Sequence, residues 1–168
     1  MEWYQSETGQ QIKQAELEAA GPKAQQQMMA SASSLMNDNP KLVARARKID
    51  DLVKGAEFMV ELNQYTMEAV KQAFLAQIDD RARRKQFRNG YQSRMDSMQR
   101  QMEALAKQMM TLNHAYAYRN IEAEKLEAYI SFLETPAGRR FTEATMGALK
   151  AALKDSVDQF AEQLSQQF

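Results

Sequence analysis

The sequence has no cysteine and a single histidine, His114. The first absence excludes a disulfide framework, a thiolate zinc site and a cysteine nucleophile. The second excludes two-histidine metal motifs, paired Glu-x-x-His di-iron ligation and most triad chemistry. Proline and glycine are scarce, 3 and 6 in 168 residues, so few positions force a helix to stop. Neither sign of charge is in excess: 22 Lys and Arg face 22 Asp and Glu, without the global cationic field of a nucleic-acid binder. No apolar run approaches the ~18 residues of a membrane span, and the mean hydropathy of -0.64 agrees. The start, Met1-Glu2-Trp3-Tyr4-Gln5-Ser6, has neither the basic nor the apolar region of a signal peptide.

What is present is helical patterning. Ser6 reads as an N-cap with Glu7 in the first turn, and Gly21-Pro22 predicts a kink or break. Asn39 reads as a cap with Pro40 at the first helical position. From Leu42 to Ile78 apolar residues recur in steps of three and four, which predicts one long amphipathic helix. Asn89-Gly90 then predicts a loop near residues 85 to 91. A third helix carries Tyr91, Met95, Met98, Met102, Leu105, Met109, Leu112 and Tyr116 at near-heptad spacing. Asn120 reads as the cap of a short helix that is acidic at Glu122 and Glu124 and buries Leu126, Tyr129, Ile130 and Leu133. Thr135 and Pro136 cap and open the last helix. The expected fold is all-α, one domain over 1–168: an antiparallel helical bundle with long central helices over 41–117 and a C-terminal helical hairpin over 118–168.

Shifting the chain by 129 positions lays Trp3, Ser6, Gly9 and Ile12 over Phe132, Thr135, Gly138 and Phe141. Each copy reads large apolar pair, hydroxyl cap, glycine three positions later, two polar residues, large apolar. Glycine in a first helical turn is intrinsically costly, so the shared glycine points to close approach of a neighbouring backbone. Residues 1–36 therefore read as a degenerate N-terminal copy of a motif repeated in 118–168. The segment from Asn120 through Phe132, Thr135, Pro136, Gly138, Arg139 and Phe141 resembles the signature of a bacterial domain-of-unknown-function family, an acidic short helix leading to F-x-x-[ST]-P-x-G-[KR]. The resemblance covers about residues 118 to 160; the first copy departs from it with Glu7-Thr8 where the motif has Pro-x. It implies an all-helical fold and a protein exported to the periplasm behind a signal peptide, and it transfers no catalytic residue. On this reading the upstream signal and a first helix are expected to precede residue 1.

Candidate chemistry is sparse. His114 lies off the methionine seam and reads as a solvent-facing or interface histidine rather than a haem ligand. The carboxylate pairs Asp50-Asp51, Asp79-Asp80 and Glu122/Glu124 do not face one another on a helix. The one marked charge asymmetry lies in residues 81 to 100, where Arg81, Arg83, Arg84, Lys85, Arg88, Arg94 and Arg100 face only Asp96. It reads either as a solvated interhelical loop or as a patch for an anion or a partner at Arg81, Arg83, Arg84, Lys85 and Arg88. Arg139 and Arg140 oppose the dipole of the last helix and are expected to be offset by Glu134 or an acidic neighbour. The methionines read as ordinary core filling or as an adaptable apolar groove. No cofactor and no metal are expected.

The expected function is that of a non-enzymatic interaction protein of the bacterial envelope, holding a protein partner or an apolar ligand, with no nucleic-acid partner. The rival is an enzyme assembled from scattered carboxylates, Tyr and Arg. The two central seams are unequal, about 54 and 38 Å at 1.5 Å per residue. Apolar surface near Trp3, Tyr4 and Ile12 is accordingly expected to stay uncovered and to favour a homodimer.

Overall fold

A computed structural model describes the backbone of residues 2–166 and the side chains of 3–95 and 98–159. Among the described residues it is all helix, without strands: α1 Glu2–Gln5, α2 Glu7–Ala19, α3 Pro22–Asp38, α4 Pro40–Val53, α5 Gly55–Ala76, α6 Arg81–Ala117, α7 Ala123–Glu134 and α8 Pro136–Gln166. None is long and apolar enough to cross a membrane. Packing divides the chain into two compact units, one of residues 1–56 and 107–144, the other of residues 57–106 and 145–168.

The first unit holds the core. α4 and α2 pack on α7, and α3 lies against α4 and α2. Ile12 of α2, Ala46 and Ile49 of α4, Ala115 and Tyr118 at the end of α6 and its exit, and Leu126, Ile130 and Leu133 of α7 are buried together. The interruptions read from sequence are present: Asn39 Oδ1 accepts from the Leu42 amide at 3.1 Å and opens α4 with Pro40 in the first turn, and Gly21-Pro22 separates α2 from α3. α7 starts later than expected. Its N-cap is Glu122, whose side chain makes no capping bond, because residues 118–121 are spent on a turn in which the Ile121 amide donates to the Tyr118 carbonyl at 3.0 Å.

Two further expectations are corrected. The helix over 42–78 is not continuous: Lys54 adopts φ 59°, ψ 34° and divides α4 from α5. Asp50 makes the break inexpensive. Its carbonyl accepts the Lys54 amide at 2.7 Å, and its buried Oδ1 accepts the Ala56 amide at 3.0 Å, so one residue closes one helix and caps the next. The loop expected at 85–91 is helical. Phe87 stacks on Tyr91 within α6 and reaches Phe74 of α5, while the Tyr91 hydroxyl donates to the Met67 carbonyl at 2.7 Å. Residues four apart reach one neighbour only if the helix between them is intact. The turn lies instead at residues 77–80, where Asp80 Oδ1 accepts the Arg83 amide at 2.7 Å.

In the second unit α5 and α6 form an antiparallel hairpin through these aromatic contacts. α8 joins α5 through a Tyr65 hydroxyl donating to Asp158 Oδ1 at 2.6 Å and a Lys150–Glu61 ion pair.

Among the described residues Lys54 is the one non-glycine residue in the left-handed region, a conformation unfavourable by about 1–2 kcal/mol for a side chain with a Cβ. Lys54→Gly is expected to raise the unfolding free energy by about 0.5–1 kcal/mol, part of the gain being returned to the looser unfolded chain. Urea titration measures it.

Candidate functional site

Residues 3–12 and 132–141, aligned by sequence, have the same local geometry. The Ser6 hydroxyl donates to the Trp3 carbonyl at 2.6 Å and accepts from the Gly9 amide at 3.1 Å. The Thr135 hydroxyl donates to the Phe132 carbonyl at 2.7 Å and accepts from the Gly138 amide at 3.0 Å. Both glycines are buried, and a methyl on either would overlap a carbonyl oxygen, that of Trp3 or of Phe132. It would also lie 2.8 Å from Tyr4 Cα in the first turn and 2.7 Å from Leu133 Cα in the second. Pro136 opens α8, and Arg139 Nε returns to the Glu134 carbonyl at 3.1 Å. The Glu134 carboxylate does not offset Arg139; it pairs with Lys48 at 2.8 Å.

The matching residues also meet. Trp3 stacks on Phe132 with ring centroids 4.4 Å apart and 9° between planes, and Tyr4 packs against Phe132 and Phe141. Ile12 is fully buried and Trp3 and Tyr4 are half-buried, so most of the apolar surface expected to stay uncovered around them is covered. α7 covers it.

Behind the stack lies a polar network that sequence reasoning missed. Glu16 Oε1 accepts from the Tyr118 hydroxyl at 2.6 Å and from the Tyr129 hydroxyl at 3.3 Å. Burial, then the nearby Glu16 charge, pushes both phenols well above the usual tyrosine range. The available signal was Glu16 itself, a carboxylate between Ile12 and Ala19 on the buried stripe of α2. His114 is also placed differently from the solvent-facing alternative: its side chain is 12 % exposed, stacks on Tyr118, and holds Nε2 3.7 Å from Asp50 Oδ1 without a hydrogen-bond partner among the described residues. An open cleft of about 710 Å³ on this unit is lined by polar side chains, Gln11, Gln14, Gln27, Arg119 and Lys125 among them. The Arg119 guanidinium carbon lies over the Tyr116 ring, 3.8 Å from its centroid.

The methionine seam divides along α6. Leu112 and Tyr116 join the core of the first unit, whereas Met98, Leu105 and Met109 are exposed, Leu105 by 59 %. In the second unit Met95 and Met102, with Val60, Met67 and Tyr91, line a groove of about 180 Å³ whose rim carries Gln64, Glu68, Gln92 and Gln99. Lys71 crosses the Tyr91 ring at 5.6 Å and pairs with Glu68, which holds that carboxyl below its usual range. Arg81, Arg83, Arg84, Lys85 and Arg88 are exposed and stand in the first two turns of α6, not in a loop. Among the described residues no three His, Asp or Glu side chains gather in a way that could hold a metal ion.

Gly9→Ala and Gly138→Ala are each expected to destabilise by about 1–3 kcal/mol in urea unfolding, the range for overpacking. Gly90→Ala is the contrast: nothing lies within 4 Å of a Cβ there, so it should stabilise α6 by about 1 kcal/mol. Thr135→Ala should cost about 0.5–2 kcal/mol.

The tyrosine network sets an alkaline limit. A phenol raised in the folded state stabilises fully while unfolded phenols stay neutral, below their ordinary value of 10.0, and loses that contribution as pH rises beyond it. The urea midpoint is expected to hold to about pH 9 and fall above about pH 10, less steeply in Tyr118→Phe.

Compared with protein-family models, with curated proteins and with solved structures, the chain finds no match.

Proposed function

We propose that the protein is a non-enzymatic binding protein of the bacterial cell envelope, and that the groove between α5 and α6 receives apolar side chains of a protein partner. The observation that carries this reading is the groove itself, with Met67, Met95 and Met102 beside Tyr91. Its volume, about 180 Å³, falls below the ~300–1,000 Å³ of small-molecule sites and suits one or two side chains better than a carried apolar ligand. Methionine is unbranched and polarizable, so such a lining adapts to differing partners. Exposed Met98 and Leu105 extend the apolar face along α6. The periplasmic address rests on the sequence motif of residues 118–160 alone. The paired turns support reading 3–12 and 132–141 as two copies of one unit.

Methyl-labelled methionine NMR tests the groove. Titration with an uncharged amphipathic leucine–glutamine model helix is expected to move the Met67, Met95 and Met102 methyls and leave buried Met28 of α3 in place. Met95→Glu should weaken binding about tenfold, roughly 1.4 kcal/mol. Unmoved groove methyls, or a Met28 shift of equal size, would overturn the reading.

A further inference from the structure

The turn end of the α5–α6 hairpin carries features that the groove does not use. Between Phe74 and Arg88 stand Arg81, Arg83, Arg84, Lys85 and Arg88 against Asp79 and Asp80, five cations to two carboxylates in a chain with no net charge. All five cations are exposed. Asp80 is occupied in capping α6, and Arg84 Nε donates to the Ile78 carbonyl. No ion pair ties Arg81, Arg83, Lys85 or Arg88 to an acid among the described residues.

This arrangement is unfavourable within the isolated chain. Cations in the first turns of α6 oppose its dipole, and Arg81–Lys85 and Arg84–Arg88 are like-charged pairs four residues apart. An external anion reverses both effects. At the same hairpin end Phe74 is 51 % exposed, its ring centroid 6.4 Å from that of Phe87, which in turn stacks on Tyr91. An exposed phenyl ring at the same hairpin end as the arginines combines the two attractions that an anionic bilayer offers, charge at the headgroups and an apolar layer just beneath.

We propose that this hairpin end docks on an anionic lipid surface, with the cations at lipid phosphates and Phe74 at the boundary between headgroup and acyl chain. A lipid surface fits better than a single acidic protein. Arg81, Lys85 and Arg88 fall within about 60° of one another around α6 at 3.6 residues per turn, one face that a planar array of headgroup phosphates meets together. A plane of many equivalent phosphates demands no register.

The test is co-sedimentation of the full chain with vesicles of phosphatidylcholine alone and of phosphatidylcholine with phosphatidylglycerol. Binding is expected only to the anionic vesicles and should weaken with salt. A combined Arg81→Gln, Lys85→Gln, Arg88→Gln variant should lose on the order of a hundredfold in partition, about fivefold for each surface cation. Phe74→Ser should lose several-fold at unchanged charge. Circular dichroism and the urea midpoint verify that both variants are folded. The proposal is overturned if the wild-type chain ignores anionic vesicles at low salt, or if the triple variant binds as the wild type does. It is equally overturned if Phe74→Ser binds normally while polyglutamate competes as well as lipid does, which would assign the patch to an acidic protein.

Discussion

At Gly9 and Gly138 the chain turns so tightly that a carbonyl oxygen six residues earlier occupies the space a side chain would need. The hydroxyl of Ser6 or Thr135 pins that carbonyl and caps the next helix in one gesture. The turn therefore delivers the aromatic residue before it, Trp3 or Phe132, at a set angle, and the two rings meet face to face. α2 and α7 are brought together by this pairing, and the core formed by Ile12, Leu126, Ile130 and Leu133 follows from it. Two small residues thus decide how the largest side chains pack.

The polar groups inside the first unit obey a related constraint, since a buried donor or acceptor without a partner costs more than its bond returns. Asp50 is 4 % exposed and uses its carboxylate on the Ala56 amide, turning a helix break into a cap. Glu16 accepts from two phenols. His114 Nε2 is the group left unmatched among the described residues, close to Asp50 yet out of hydrogen-bond reach.

Local chemistry made much of this legible. Ser6, Asn39 and Thr135 cap where their residue types and neighbours say they should, and the match between residues 3–12 and 132–141 survives from letters to hydrogen-bond lengths. Two of the misses share one cause. Lys54 and Asn89-Gly90 are positions where tertiary contact outweighs local preference: a buried aspartate permits a break that periodicity hides, and Phe87 with Tyr91 holds helical a dipeptide that otherwise favours a turn. Glu16 and His114 were obscure because partners such as Tyr118 and Asp50 come from other helices, and one-dimensional spacing carries no record of them. The groove was visible only as a methionine stripe, without the α5 wall that gives it volume.

The stacked pair Trp3 and Phe132 also orders events in time. These rings are separated by nearly the whole length of the first unit's two segments, with residues 57–106 lying between those segments in the chain. Closing a loop of that size costs on the order of 4 kcal/mol of chain entropy before any core contact repays it. The α5–α6 hairpin needs only near neighbours. During synthesis the inserted hairpin can form as soon as it emerges, while α2 and α4 wait for α7, on which both pack. The nascent chain is thus most exposed to misassociation in that interval, before the second of its two matching turns has been made.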